Sequence, residues 1–199
     1  MKLTVFNGSP RGKRSNTKIL LEQFINGFVT TDGNSYEMVY LNQVKDVERF
    51  KELFEEAEQV LLAFPLYTDC MPAMVKVFIE SLESLCGREG NPDIGFIVQG
   101  GFPEAIHSRC LERYLEKLAL RLCCRYTGTI IKGGVEGIQT QPNWMTRKLF
   151  QSFYEFGKTF GETGEFDEQI MIKLARPERY SKLQLLILRL LTFRLSNNY

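Results

Sequence analysis

Residues 59–64 (QVLLAF) constrain this chain most: the run is apolar after its first residue and is stopped by Pro65. A strand with one wet face alternates apolar and polar residues, so a strand that does not alternate must be covered on both faces, as in a parallel sheet between helix layers. The surrounding sequence supplies those layers. Residues 2–6 (KLTVF) read as a first strand closed by Asn-Gly-Ser-Pro, and Leu20, Leu21, Phe24 and Phe28 follow at helical spacing. Residues 36–41 (YEMVYL) read as a second strand, with Val47, Phe50, Leu53, Phe54 and Ala57 on one face of the next helix.

After the central run, Met74, Val75, Phe78, Leu82 and Leu85 mark a helix ended by Cys86-Gly87. Residues 93–99 (DIGFIVQ) form a fourth strand broken by Gly100-Gly101. A helix over 105–122 follows, with Cys110, Leu111, Leu115, Leu118 and Leu122 inward. Residues 125–131 give a fifth strand. After Gly133-Gly134 and a polar connection, a helix over 143–160 carries the stripe Met145, Leu149, Phe153, Phe156 and Phe160. Five strands alternating with five helices predict an α/β, doubly wound, five-stranded parallel sheet of order 2-1-3-4-5.

A length of 199 residues with 44% hydrophobic residues suits one domain. We place it at 1–163, with 164–199 as a C-terminal helical extension acting as an interface or lid. Within that extension, residues 183–195 are densely apolar, but Arg189 and Arg194 interrupt them and the run is too short to span a bilayer. Such a helix needs cover from its own domain, a second subunit or a lipid surface, and the expected assembly is a homodimer with no membrane span. Lys and Arg number 25 against 24 Asp and Glu, a net charge of +1, so no bulk field favours nucleic acid. The amino terminus lacks a signal-type apolar region, which gives a cytoplasmic expectation. Five cysteines, scattered and without a CxxC pair, argue against a disulfide framework or a metal cluster and read as buried or incidental thiols.

Open parallel sheets bind ligands at the carboxyl ends of their strands, where connections diverge to opposite faces. Three loops meet there. Residues 7–17 (NGSPRGKRSNT) gather Ser9, Ser15, Asn16 and Thr17 with Arg11, Lys13 and Arg14 at a helix start, a donor set suited to a phosphate. The plainer reading is a solvated turn with Ser15 or Asn16 as helix cap. The triphosphate pattern GxxxxGK[ST] and the dinucleotide pattern GxGxxG are both absent from it, as is any cysteine nucleophile. The second loop holds Pro65, Leu66, Tyr67, Met71 and Pro72, which suit a flat aromatic ligand or a rigid connector. In the third, Gly100 and Gly101 let a ligand approach the backbone, and Phe102 flanks it. His107, the one histidine, takes a surface or capping role or contacts substrate. Asp69 and Cys70 show no catalytic partner.

The motifs GSPRGKRSNT, PLYTDCMPAMVKVFIE and QGGFPEA together resemble the FMN-binding loops of the flavodoxin-like NAD(P)H-dependent FMN reductase and quinone reductase superfamily, over residues 1–131. The resemblance implies noncovalent FMN, with Ser9, Arg11, Ser15, Asn16 and Thr17 on the phosphate. Pro65, Leu66, Tyr67 and Met71 would line the isoalloxazine, and Gly100, Gly101 and Phe102 would close its other side. It implies NAD(P)H as donor and a quinone, a flavin or a similar small molecule as electron acceptor, with no catalytic side chain. A flavodoxin-like electron carrier and a non-catalytic interaction protein of the same fold are the alternatives. The iron–sulfur branch carries cysteines after the second strand, where this chain has only LNQVKD at 41–46. That departure implies no cluster and a substrate pocket left open or completed by the tail.

Overall fold

Alternate residues of the central strands enter two different cores, which is why their sequences do not alternate. In β3 (Gln59–Pro65), Val60, Leu62 and Phe64 join one buried cluster while Leu61 and Ala63 join the other. β1 (Lys2–Asn7) divides in the same way, Phe6 to the first and Leu3 and Val5 to the second. The computed structural model describes residues 1–181 and 184; the apolar run at 183–195 otherwise lies outside the described residues.

With β2 (Ser35–Tyr40), β4 (Asp93–Gln99) and β5 (Tyr126–Lys132), these strands form one parallel sheet in the order β2-β1-β3-β4-β5. α2 (Val47–Glu55), α3 (Ala73–Ser81) and α4 (Arg109–Arg121) cover one face; α1 (Asn16–Phe28), α5 (Asn143–Thr163) and α6 (Glu168–Leu174) cover the other. The predicted sheet order and helix alternation hold. Two inward assignments do not. Cys110 is exposed: the buried stripe of α4 runs through Leu111, Leu115, Ala119 and Leu122, and Cys110 falls about 100° around the helix from Leu111. Met145 is exposed in the first turn of α5, where Thr146 beside it takes the buried face at 3%. Four of the five cysteines are exposed and Cys124 alone is buried; burial pushes its thiol up to about 12.

α1 and α5 approach backbone to backbone through glycines. A Cβ on Gly157 would lie 1.8 Å from the Phe24 carbonyl oxygen, and one on Gly27 would lie 1.9 Å from that of Tyr154. The contact brings Phe24, Phe28, Phe156 and Phe160 together at centroid distances of 5.7–6.1 Å. Phe166 closes the cluster, 4.7 Å from Phe156, and fills the notch above Gly95, where a Cβ would meet its ring at 2.6 Å. Residues 164–181 thus pack on the sheet. The Ala105 and Ile106 amides donate to the Pro177 and Glu178 carbonyls, and Arg109 holds the Glu178 carboxylate at 2.7 Å.

Replacing Gly157 with Ala forces the two helices apart. We expect a loss of about 3 kcal/mol in urea denaturation, as for an overpacked core site; an unchanged midpoint would contradict the close contact.

Candidate functional site

The carboxyl ends of β1, β3, β4 and β5 are stitched into one edge by the loops that leave them. The Gly8 amide donates to the Ala63 carbonyl at 2.8 Å, Leu66 to Gln99 at 2.7 Å, and Gly100 to Lys132 at 3.0 Å. The loops therefore inherit the register of the sheet, and residues on all four of them converge on a shared hollow.

Asn7, the fully buried last residue of β1, shapes the first loop. Its Oδ1 accepts from the Ser9 amide at 3.0 Å, and its Nδ2 reaches Ser15 Oγ at 3.5 Å. Ser15 caps α1: Oγ accepts from the Lys18 amide at 3.1 Å and donates to the Gly12 carbonyl at 2.7 Å. The amino end of α1 and its positive dipole end thereby face the hollow at fixed orientation.

The hollow has two parts. A narrow crevice of about 20 Å³, room for about one water, is lined by Ser9, Arg11, Asn16, Pro65, Leu66, Tyr67, Gln99, Gly100, Gly101 and Glu136. It adjoins a cavity of about 790 Å³ at Leu66, Tyr67, Asp69, Gly100, Gly101, Phe102, Glu104, His107 and Glu136, within the usual range of roughly 300–1,000 Å³ for ligand pockets. Tyr67 and Phe102 stand exposed at its wall, 43% and 72%.

Two residues of positive φ build that wall. Thr68 and Asp69, at 48° and 62°, close a tight turn in which the amides of Tyr67 and Cys70 each donate to the other's carbonyl. This conformation costs free energy in residues other than glycine and accumulates at ligand sites. Opposite, the His107 ring lies 5.2 Å from that of Phe102, with Nδ1 3.9 Å from Asp69 and Nε2 3.7 Å from Glu104. His107 thus sits on the pocket wall between two carboxylates.

The residues expected on a phosphate divide. Ser9, Arg11 and Asn16 line the crevice. Ser15 and Thr17 are buried behind it: Ser15 is the cap, and Thr17 Oγ1 accepts from Gln99 Nε2 at 3.3 Å. Of the three cations, Arg11 is at the crevice, while Lys13 stacks 5.9 Å above the Tyr40 ring. Pro65, Leu66, Tyr67, Gly100 and Gly101 gather at the crevice, and Phe102 lines the cavity beside it. Met71 instead packs, half-buried, on the core beneath α3.

Sequence reasoning passed over a fourth loop, residues 133–141. Asn16 Nδ2 donates to the Val135 and Glu136 carbonyls at 2.8 and 3.2 Å, and Gln139 Nε2 donates to Asn16 Oδ1 at 2.7 Å. Glu136 also pairs with Arg11 at 3.3 Å, over the crevice. The signal was present in Gly133-Gly134, which repeats at the end of β5 the double glycine that follows β4.

This architecture is the flavodoxin-like fold, and a family model described by that name matches residues 1–82. Among solved structures, the NAD(P)H:quinone oxidoreductase of Methanothermobacter marburgensis superposes with a TM-score of 0.66 at 14% identity, covering 80% of this chain and 96% of its own. An FMN-dependent NADH-azoreductase of Bacillus anthracis, solved with FMN, gives 0.61 at 11% identity over 81% and 98%. An NADPH-quinone reductase of P. pentosaceus gives 0.58 at 17% identity over 79% and 98%. No curated protein matches the chain by sequence. The resemblance read from the loops agrees with these findings.

Ser15→Ala removes the cap of α1 and should cost about 1 kcal/mol in thermal or urea unfolding. No loss of stability would show that the hydroxyl is not engaged in the helix end.

Proposed function

We propose that the chain is an FMN-dependent NAD(P)H oxidoreductase. The observation that carries this reading is the single hollow at the carboxyl edge of β1, β3 and β4, wide and partly aromatic at one end and narrow beside a helix amino terminus at the other. Its wide end, about 790 Å³ and lined by Tyr67, Gly100, Gly101 and Phe102, has the volume for a tricyclic ring. Its narrow end is too small for a phosphate while Arg11 and Glu136 span it. Both side chains of that pair are more than half exposed, so opening it costs only about 0–1 kcal/mol. With the pair open, Ser9, Arg11 and the amino end of α1 are the donors that the crevice offers an ester.

In this reading Ser9, Arg11 and the amino end of α1 hold the phosphate. Pro65, Leu66 and Tyr67 line one side of the ring, and the glycine pair lets the other side meet backbone. When bound, the flavin supplies two-electron chemistry between a nicotinamide and a quinone, flavin or similar small acceptor. Phe102 and His107 stand at the open wall, where a second flat molecule enters and stacks. The turn at Thr68–Asp69 fixes Tyr67, so orientation of the bound ring is prepaid in the fold of the loop.

Titration with FMN, followed by fluorescence quenching, should give one saturable site, and the loaded protein should oxidise NADH or NADPH in the presence of a quinone. Arg11→Ala should raise the FMN dissociation constant by about tenfold or more, as expected for the loss of one charge-assisted contact. A protein that takes up no FMN, or that binds it and oxidises neither nicotinamide, overturns the reading.

A further inference from the structure

Glu136 is the one acidic residue lining both the crevice and the cavity. Its backbone is fixed from both sides. Val135 and Ile138 are buried at 0% and 5%, the Val135 amide donates to the Gly100 carbonyl at 3.0 Å, and the Gly134 amide donates to that of Phe102 at 3.1 Å. Asn16 takes the Val135 and Glu136 carbonyls, and Gln139 binds back to Asn16 and to the Arg14 carbonyl. A Cβ on Gly133 would lie 2.4 Å from the carbonyl oxygens of Phe102 and Pro103, so the start of this loop has no room to shift. The Glu136 side chain, by contrast, is 67% exposed and touches Arg11 alone among the described charged groups, at 3.3 Å. The carboxylate can swing; the chain that carries it cannot.

We propose that Glu136 is a specificity-determining residue, which occupies Arg11 in place of a phosphate and lowers the preference of this site for FMN over unphosphorylated riboflavin. The inference rests on the flavin reading above. An incoming phosphate must take Arg11 from Glu136, and the fixed backbone keeps that carboxylate within reach of Arg11 as a standing competitor. The competition is for the one guanidinium, and the exposed carboxylate adds a repulsion that solvent screens down to short range. The free ribityl end of riboflavin carries no charge and meets no such opposition. The same ring contacts serve both flavins, so the ratio of their affinities isolates the phosphate end.

The test measures dissociation constants of FMN and riboflavin for the full chain and for Glu136→Gln, which keeps side-chain length and every backbone contact while removing the charge. The ratio of the riboflavin constant to the FMN constant should rise by about two- to fivefold in the variant, as expected for removing an exposed competitor for Arg11. Glu136→Ala should move the ratio in the same direction. A ratio that stays constant or falls while both flavins bind overturns the role of Glu136 and leaves the flavin site standing. Variants that lose both flavins while the parent chain binds them place Glu136 in the scaffold and also overturn the proposal. If the parent chain and both variants bind neither flavin, the flavin reading fails, and this inference with it.

Discussion

Everything at the functional edge depends on the sheet being covered on both faces. Because Val60, Leu62 and Phe64 point into one core and Leu61 and Ala63 into the other, β3 cannot slip by one residue without exchanging the two sets. Its register with β1 and β4 is therefore fixed, and so is the height at which their loops leave. The hydrogen bonds from Gly8, Leu66 and Gly100 carry that register one residue past each strand or its neighbour. A ligand site built from four separate loops thus has its spacing set by hydrophobic burial beneath it. The glycine contact between α1 and α5 does the same for the amino end of α1, whose direction is set by how closely Gly157 lets the Phe24 backbone approach.

Much of this was legible in the chain. Unbroken apolar runs identified the inner strands, period-3.6 stripes identified the helices, and Pro65 and Gly100-Gly101 marked where strands became loops. The misplacements of Cys110 and Met145 have the same form: each lies one residue before the one that is buried, Leu111 at 5% and Thr146 at 3%. In α4, Leu111, Leu115 and Leu122 keep the predicted face, and a cysteine, small enough to sit at either side of the stripe's edge, is not placed by periodicity. In α5 the buried face runs through Thr146, Phe153, Phe156 and Phe160, and hydropathy gives no sign that a threonine, rather than the methionine beside it, turns inward. Phe166 was invisible for a similar reason: its place is created by Gly95 and Gly128, two small residues on strands distant in sequence.

The site was legible by loop and less so by side chain. Four polar residues at the start of α1 look equivalent in sequence, yet each has a different partner. Ser15 satisfies the free amide of its own helix, Thr17 is met by Gln99 from β4, Asn16 holds the loop after β5, and Ser9 faces the crevice. The choice between cap and phosphate ligand was therefore no choice between readings of the whole loop. The loop contains both, and buried polar groups must be paired before any are spared for a ligand.

Charge completes the account. Apart from Arg11 and His107, the charge-bearing residues lining the hollow are Asp69, Glu104 and Glu136. A near-neutral chain gave no hint of this, since net charge averages over surfaces that never meet. An acidic rim around a pocket for an anionic ester is unfavourable in itself; what offsets it is the helix terminus, whose amides and dipole act at short range where a rim of exposed carboxylates is screened by solvent. Ligand affinity here is then the difference between a near, fixed positive end and a more distant, mobile negative ring. Arg11 is the hinge of that balance, because among the described residues it is the one lining cation able to serve either the protein's own carboxylate or the phosphate of a guest.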